Sequence, residues 1–236
     1  MILAGIDDTD TLDSPGTNHV ARGVAADIAA THRCLRIVRH QLLFDRRVPY
    51  TRKNSCCSLL LEPRDLAGGN LAALFESLSA ALKRRFQPGS DPGLCLAEVV
   101  PEEVMQFGSR CQRTVVDQDN ARQLARRSGI RLAGLGGTED GVIGALAAVG
   151  LAATENDGRV VQIQEGPDDV SGEQPVDLLL SRGVDEVRCQ TSDRRITAGI
   201  VDVGKHLRPN LRQGRIVLFV EPVSTATHVW RAIRLT

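Results

Sequence analysis

Long apolar runs are missing: no stretch of the 236 residues approaches the ~18 consecutive apolar side chains that a membrane-crossing helix needs. A secretory leader pattern is missing too, because the apolar start breaks at Asp7, and a cytoplasmic location is the expectation. The 29 basic and 29 acidic residues cancel, so the overall basic field of a general nucleic-acid binder is absent and only local patches remain. Lysine is scarce: Lys53, Lys83 and Lys205 stand alone among basic residues that are otherwise arginine. The six cysteines, Cys34, Cys56, Cys57, Cys95, Cys111 and Cys189, include no Cys-x-x-Cys pair. Nothing points to a zinc ribbon, and buried or free thiols are expected. Cys56 and Cys57, adjacent on a strand, face opposite sides and are poor partners for one metal. What is left, 42% apolar and 25% charged, is a globular mixture long enough for one large or two modest domains.

Charge is instead concentrated at one place. Residues 1–6 read as an apolar core strand that runs at once into Asp7, Asp8 and Asp10, with Thr9 between them. Acidic side chains are rarely buried unless paired or bound to metal, and hard oxygen ligands favour Mg²⁺. Ser14-Pro15-Gly16-Thr17 is turn chemistry. From Asn18 onward the spacing of Val20, Val24 and Ile28 predicts a helix reaching about residue 32. Strand, acidic turn and helix start together offer metal ligands beside backbone N–H groups that can hold phosphate. The reading is a Mg²⁺-dependent nucleotide-phosphate site with Asp7, Asp8 and Asp10 as catalytic and metal-binding residues. Asp, Ser and Gly are also ordinary turn and cap residues, and that reading stays open beside the first.

Further along, strands are predicted over 35–43, 56–61, 94–100 and 159–164, and helices over 66–85, 120–128 and 142–150, with a short helix from Pro101 and an extended 113–117. The polar loop that carries Arg46, Arg47, Arg52 and Lys53 leads into a buried strand and is a place for ligand contacts. Lys83, Arg84 and Arg85 read as the solvated end of a helix. The glycine-rich 134–141 segment lacks the Gly-Lys-Ser/Thr ending of a P-loop. It is either a site of close ligand approach or a turn before a tightly packed helix. Residues 165–175 have no apolar period and read as a linker, and beyond them strand-like runs over 184–189, 196–203, 215–221 and 228–235 predict a small β-rich unit.

Gly5-Ile6-Asp7-Asp8-Thr9-Asp10 resembles the start of the archaeal tRNA(Ile) 2-agmatinylcytidine synthetases, or agmatidine synthases. Val48-Pro49-Tyr50-Thr51-Arg52-Lys53-Asn54-Ser55 is similar to a loop of that family, and Gly141-Val142-Ile143-Gly144-Ala145-Leu146-Ala147-Ala148-Val149-Gly150 to its glycine-led helix. The resemblance implies an α/β (α+β) fold: a discontinuous kinase-like ATP-binding domain at 1–61 and 126–165, a ferredoxin-like insertion at 62–125, and here a further β-rich unit at 176–236. It implies ATP and Mg²⁺ as cofactors and tRNA modification as the activity. Asp7, Asp8 and Asp10 would handle metal and phosphate. Thr9, Gly16, Thr17, Asn18, His19, Arg52, Lys53, Asn54, Gly141 and Gly144 would bind nucleotide and phosphate. His19 falls where the family carries a threonine, Lys53 and Ser55 replace two glycines, and the family's OB and zinc-ribbon modules have no counterpart pattern.

Phosphoryl transfer asks a protein for positioning and charge neutralisation, which carboxylates with Mg²⁺ and the Arg52-Lys53 pair would supply. The acceptor is a tRNA cytidine or a small metabolite. The C-terminal unit is a candidate for specificity or for homodimer formation. Two other readings are kept: a nucleotide- or RNA-binding module without turnover, and a haloacid-dehalogenase-type phosphatase, whose nucleophile loop Asp8-Thr9-Asp10-Thr11 imitates.

Overall fold

Alternation along the first strand sets up the layers. β1 (Ile2–Asp7) sends Ile2, Ala4 and Ile6 into one apolar cluster and Leu3 into another, with Gly5 and Asp7 on the same side as Leu3. The computed structural model describes residues 1–48, 53–65, 70–166, 168–223 and 229–235. β3 (Ser55–Pro63) and β4 (Gly93–Ala97) flank β1, both antiparallel to it. β2 (His32–Gln41), β5 (Arg131–Gly134) and β6 (Arg159–Ile163) complete the run β5-β4-β1-β3-β2-β6. Both faces are covered, so a one-residue slip of β1 would exchange its buried sets, and the register is firmly specified.

On the first face lie α1 (Thr17–Asp27) and α2 (Leu71–Lys83), which pack Val20, Val24, Leu74, Leu78 and Leu82 against Ile2, Ile6 and Leu59. Each such fully buried Leu or Ile contributes ~2 kcal/mol. On the second face lie α3 (Glu102–Cys111), α4 (Gln118–Arg127) and α5 (Gly141–Ala153). α5 is apolar nearly all round, as a helix enclosed on every side must be. Its backbone approaches both neighbours closely: a Cβ on Gly5 would lie 2.0 Å from the Ala145 carbonyl oxygen, and one on Gly150 would lie 2.1 Å from that of Val104.

The remaining elements are β7 (Glu173–Pro175), α6 (Val176–Ser181), β8 (Glu186–Cys189), β9 (Arg195–Ile196), β10 (Ile200–Asp202), β11 (Asn210–Arg212), β12 (Arg215–Pro222) and β13 (Val229–Ala232). They enclose a separate core around Val187, Val201, Leu218 and Trp230. β11 joins β6 through the register pair Asn210–Arg159, which makes one 13-stranded sheet.

The fold is therefore mixed α/β, as the sequence predicts. Several details differ. α1 stops at Asp27 rather than near 32. The 113–117 segment forms no strand. The supposed linker ends in β7, which pairs with β10, and the single strand expected over 196–203 is broken by Gly199 at φ 112° into β9 and β10. Arg84 and Arg85 are not merely solvated: both pair with Asp27, at 3.0 and 2.5 Å, and tie the end of α2 to the end of α1. Residues 62–125 supply α2, α3 and the start of α4 to the two faces and place β4 directly beside β1. No helix among the described residues is long and apolar enough to cross a membrane.

Candidate active site

At the end of β1 the backbone changes hand. Asp8 has φ 50°, a left-handed conformation that Asp tolerates better than most residues. This kink ends the strand and divides the three carboxylates. Asp7 and Asp8 face a cleft of about 410 Å³, together with Asn54, Gly144, Asp117, Asp119 and Asp140, over apolar walls from Leu42, Leu43 and Ile143. Asp10 faces a second cleft of about 240 Å³ with Gly16, Thr17, Asn18, Lys53, Arg39 and Ser55.

Asp7 is held beneath α5. A Cβ on Gly144 would lie 1.7 Å from Asp7 Oδ2, so only glycine leaves room for this carboxylate. Burial, then the neighbouring Asp8 charge, pushes the Asp7 carboxyl up to about 8. Burial followed by the charges of Asp91, Asp10 and Asp140 pushes Asp8 up to about 6. The other acids nearby are engaged: Asp91 accepts from the Thr138 N–H and hydroxyl, both at 2.7 Å, and Asp140 from Gln118 Nε2 at 2.6 Å. Among the described residues no ion pair reaches Asp7 or Asp8. Cys111 also lines the larger cleft, but burial raises its thiol to about 12, so it is a neutral wall and not a nucleophile. All six cysteines are free and buried.

The other sequence-predicted residues fall around these clefts. Thr9 is fully buried; its carbonyl accepts from the Gln87 N–H at 3.1 Å and its hydroxyl has no partner among the described residues. Asp10 accepts from the Thr17 hydroxyl at 2.8 Å, which fixes the start of α1. Gly16 is the N-cap of that helix and uses no side-chain cap, so the first N–H groups of α1 are open to a ligand. Asn18 lies on the second cleft, whereas His19 is exposed and lines neither. Asn54 is braced by donating to the Leu43 carbonyl at 2.8 Å. Gly141 meets the protein itself: its N–H donates to the Asp91 carbonyl at 3.0 Å, and a Cβ there would lie 2.2 Å from that oxygen. Arg52 lies outside the described residues.

Among the described residues no three His, Cys, Asp or Glu side chains converge as a ready metal cage. The Asp7–Asp8 pair nevertheless fits a hard cation. Mg²⁺ is commonly held by one or two carboxylates, with water and substrate phosphates completing its shell. The Asp-x-Asp reading of a phosphatase needs Asp8 and Asp10 side by side, and they line different clefts. Sequence reasoning did not find Asp91, Asp117, Asp119, Asp140 or Arg39. Asp117, read in the sequence as part of an extended segment, instead caps α4, accepting from the Asn120 N–H at 2.8 Å.

No protein-family model and no curated protein matches the chain. Among solved structures it is similar to a tRNA fluorescent labeling enzyme (22% identity, TM-score 0.53) and to TiaS, the tRNA(Ile2) agmatidine synthetase. TiaS matches both as a complex with tRNA(Ile2) and ATP (22%, 0.53) and in its apo form (22%, 0.50). The likeness covers 63% of this chain but only 35 to 36% of those chains, so the match spans about a third of their length. What it shows is a shared fold over that stretch.

Proposed function

We propose that the protein is a Mg²⁺-dependent, ATP-using enzyme of the phosphotransferase or ligase type that modifies a tRNA cytidine or a small metabolite. The observation that carries this reading is the pair Asp7 and Asp8, side by side at a strand end, facing one cleft with no cation partner among the described residues. In this reading Asp7 and Asp8 hold the metal, and a bound Mg²⁺ supplies charge neutralisation for the phosphates. Gly144 keeps Asp7 in place, and Asn54 braces the facing wall. Lys53, Arg39 and the open N–H groups at the start of α1 make the second cleft suitable for phosphate oxygens. Asp8, with its proton affinity raised toward neutrality, is suited to orient or deprotonate an acceptor group. Residues 1–165 carry the chemistry, with 62–125 as their insertion, and 176–236 contributes acceptor specificity.

The test is Asp8→Asn. Loss of one transition-state group of this kind costs roughly 10²-fold or more in rate, so ATP turnover is expected to collapse while circular dichroism and the melting temperature are kept. Wild-type turnover in the variant sinks the assignment. A second reading, a nucleotide- or RNA-binding module without turnover, is favoured by His19, which stands where the resembled family carries a threonine and lines neither cleft. Calorimetric ATP binding with no product from any RNA or metabolite acceptor would select it.

A further inference from the structure

Arginine gathers where β6 meets the C-terminal strands. Arg39 on β2 and Arg159 on β6 are direct register partners. Their side chains therefore leave the same face opposite each other, an arrangement in which like charges repel. Arg159 Nη2 donates to the Leu235 carbonyl at 3.0 Å, while its Nε is buried without a partner. The Leu235 contact and the bond from Val160 N to the Pro209 carbonyl at 2.7 Å bring the segments that carry Arg234 and Arg208 to its side, and burial, then the charges of Arg39, Arg234 and Arg208, holds the Arg159 pKa below the usual arginine value.

Two carboxylates stand at this place: Asp10 lines the smaller cleft with Arg39 and Lys53 and accepts from the Thr17 hydroxyl, and Asp168 lies among the arginines beyond it. Asp168 pairs with Arg208 at 2.6 Å but is shared with Arg22 at 2.8 Å. Among the described residues Arg39, Arg159 and Arg234 take part in no ion pair. Arg39 is oriented by Ser55 Oγ at 3.0 Å and by Gln41 Oε1 at 3.1 Å, and it lines the smaller cleft beside Lys53. Basic side chains thus extend from Lys53 and Arg39 at the smaller cleft, across the β2–β6 pair, to the segment of the exposed Arg234. A cluster of cations held together by the fold, with an orphaned buried donor among them, is an unfavourable arrangement until an anion joins it.

We propose that Arg39, Arg159, Arg208 and Arg234 form an anion site for phosphate groups, distinct from the Asp7–Asp8 cleft, that holds either a chain of phosphodiesters or a polyphosphate. Guanidinium forks match phosphate oxygens two at a time, and several convergent forks suit a ligand with more than one negative charge. The site does not depend on ATP turnover, and its test reads binding alone, without divalent metal. The full chain is titrated with a labelled short single-stranded RNA by fluorescence anisotropy and with tripolyphosphate by calorimetry, over a series of salt concentrations.

Each lost charge-assisted contact is expected to weaken binding about tenfold. For the RNA, each should also lower the salt slope by about 0.7. Arg159→Gln removes the central group. Because Arg159 is packed into the sheet, Arg234→Glu at an exposed position provides the variant that keeps the fold. Arg126→Glu, exposed on α4, is expected to leave affinity unchanged and controls for overall charge. RNA binding that depends on Arg159 and Arg234 and resists tripolyphosphate supports the site with a phosphodiester ligand; tripolyphosphate binding with the same dependence supports it with a polyphosphate. Failure of both probes to bind, or wild-type affinity in Arg234→Glu, overturns it.

Discussion

Asp7 occupies a position where its charge opposes folding. Its carboxyl is raised from 3.8 to about 8 in the folded chain. Between those values the unfolded chain releases the proton while the folded chain keeps it, so stability falls as pH rises through this window. The full shift corresponds to about 6 kcal/mol; water reaches the carboxylate through the cleft, and about 2 kcal/mol is the expected effect. Asp7→Asn, in EDTA, is therefore expected to be more stable than the parent by that amount at pH 8, with the gap closing near pH 4. Urea denaturation at both values checks this, and equal stabilities at pH 8 would mean the group is not desolvated. The same substitution is expected to abolish Mg²⁺-dependent thermal stabilisation by ATP, the usual opposition between stability and a working site. Asp7, Asp8 and Asp10 stood out in the sequence because charge follows an apolar strand without a break. That Asp10 serves another cleft did not, because the division comes from a left-handed φ at Asp8 that no residue pattern announces.

Within α5 two glycines make different demands. A Cβ at Gly144 meets the carboxylate of Asp7, the end of a short side chain, whereas one at Gly150 meets backbone, the Val104 carbonyl of α3. Gly144→Ala gains helix propensity of up to ~1 kcal/mol and is expected to melt near the wild-type temperature while ATP turnover drops about tenfold or more through the displaced carboxylate. Gly150→Ala must push α5 and α3 apart and is expected to lose roughly 2 kcal/mol. Thermal melts paired with turnover assays separate the cases, and the reverse ranking would show that Gly144 has no role in the site. At this scale the sequence was readable where periodicity was long. β1, β2, β3 and α2 were visible because each buries apolar side chains over a patterned run of several residues, and α5 because its apolar run is long and unbroken. α6 and β11, six and three residues long, are too short to show a period. The glycine-led helix was legible as an element, with Gly141 and Gly144 read as room for nucleotide and tight packing kept as the alternative. Gly141 gives its room to the 91–93 backbone, and Gly150 gives its own to a neighbouring helix.

Across the whole molecule, the cores flanking β1 and the core around Trp230 are separate clusters, yet a continuous sheet runs through both. The join is narrow: one register pair, Asn210–Arg159, supported by backbone bonds from Val160 N to the Pro209 carbonyl at 2.7 Å and from Leu211 N to that of Gly158 at 3.1 Å. Asn210 is fully buried there, and its Nδ2 donates to the Gly158 carbonyl at 3.1 Å. A buried side chain that satisfies backbone on the opposing strand is worth about 1 to 2 kcal/mol. Its loss should fall on the join and leave either core intact. Asn210→Ala is thus expected to let the C-terminal strands open without the rest, a sub-global event. In hydrogen exchange, amides of β12 should exchange about tenfold faster or more, while those of β1 keep their wild-type rates. Equal acceleration of both sets would show that the chain opens as a single unit and that the narrow join is not its weakest point.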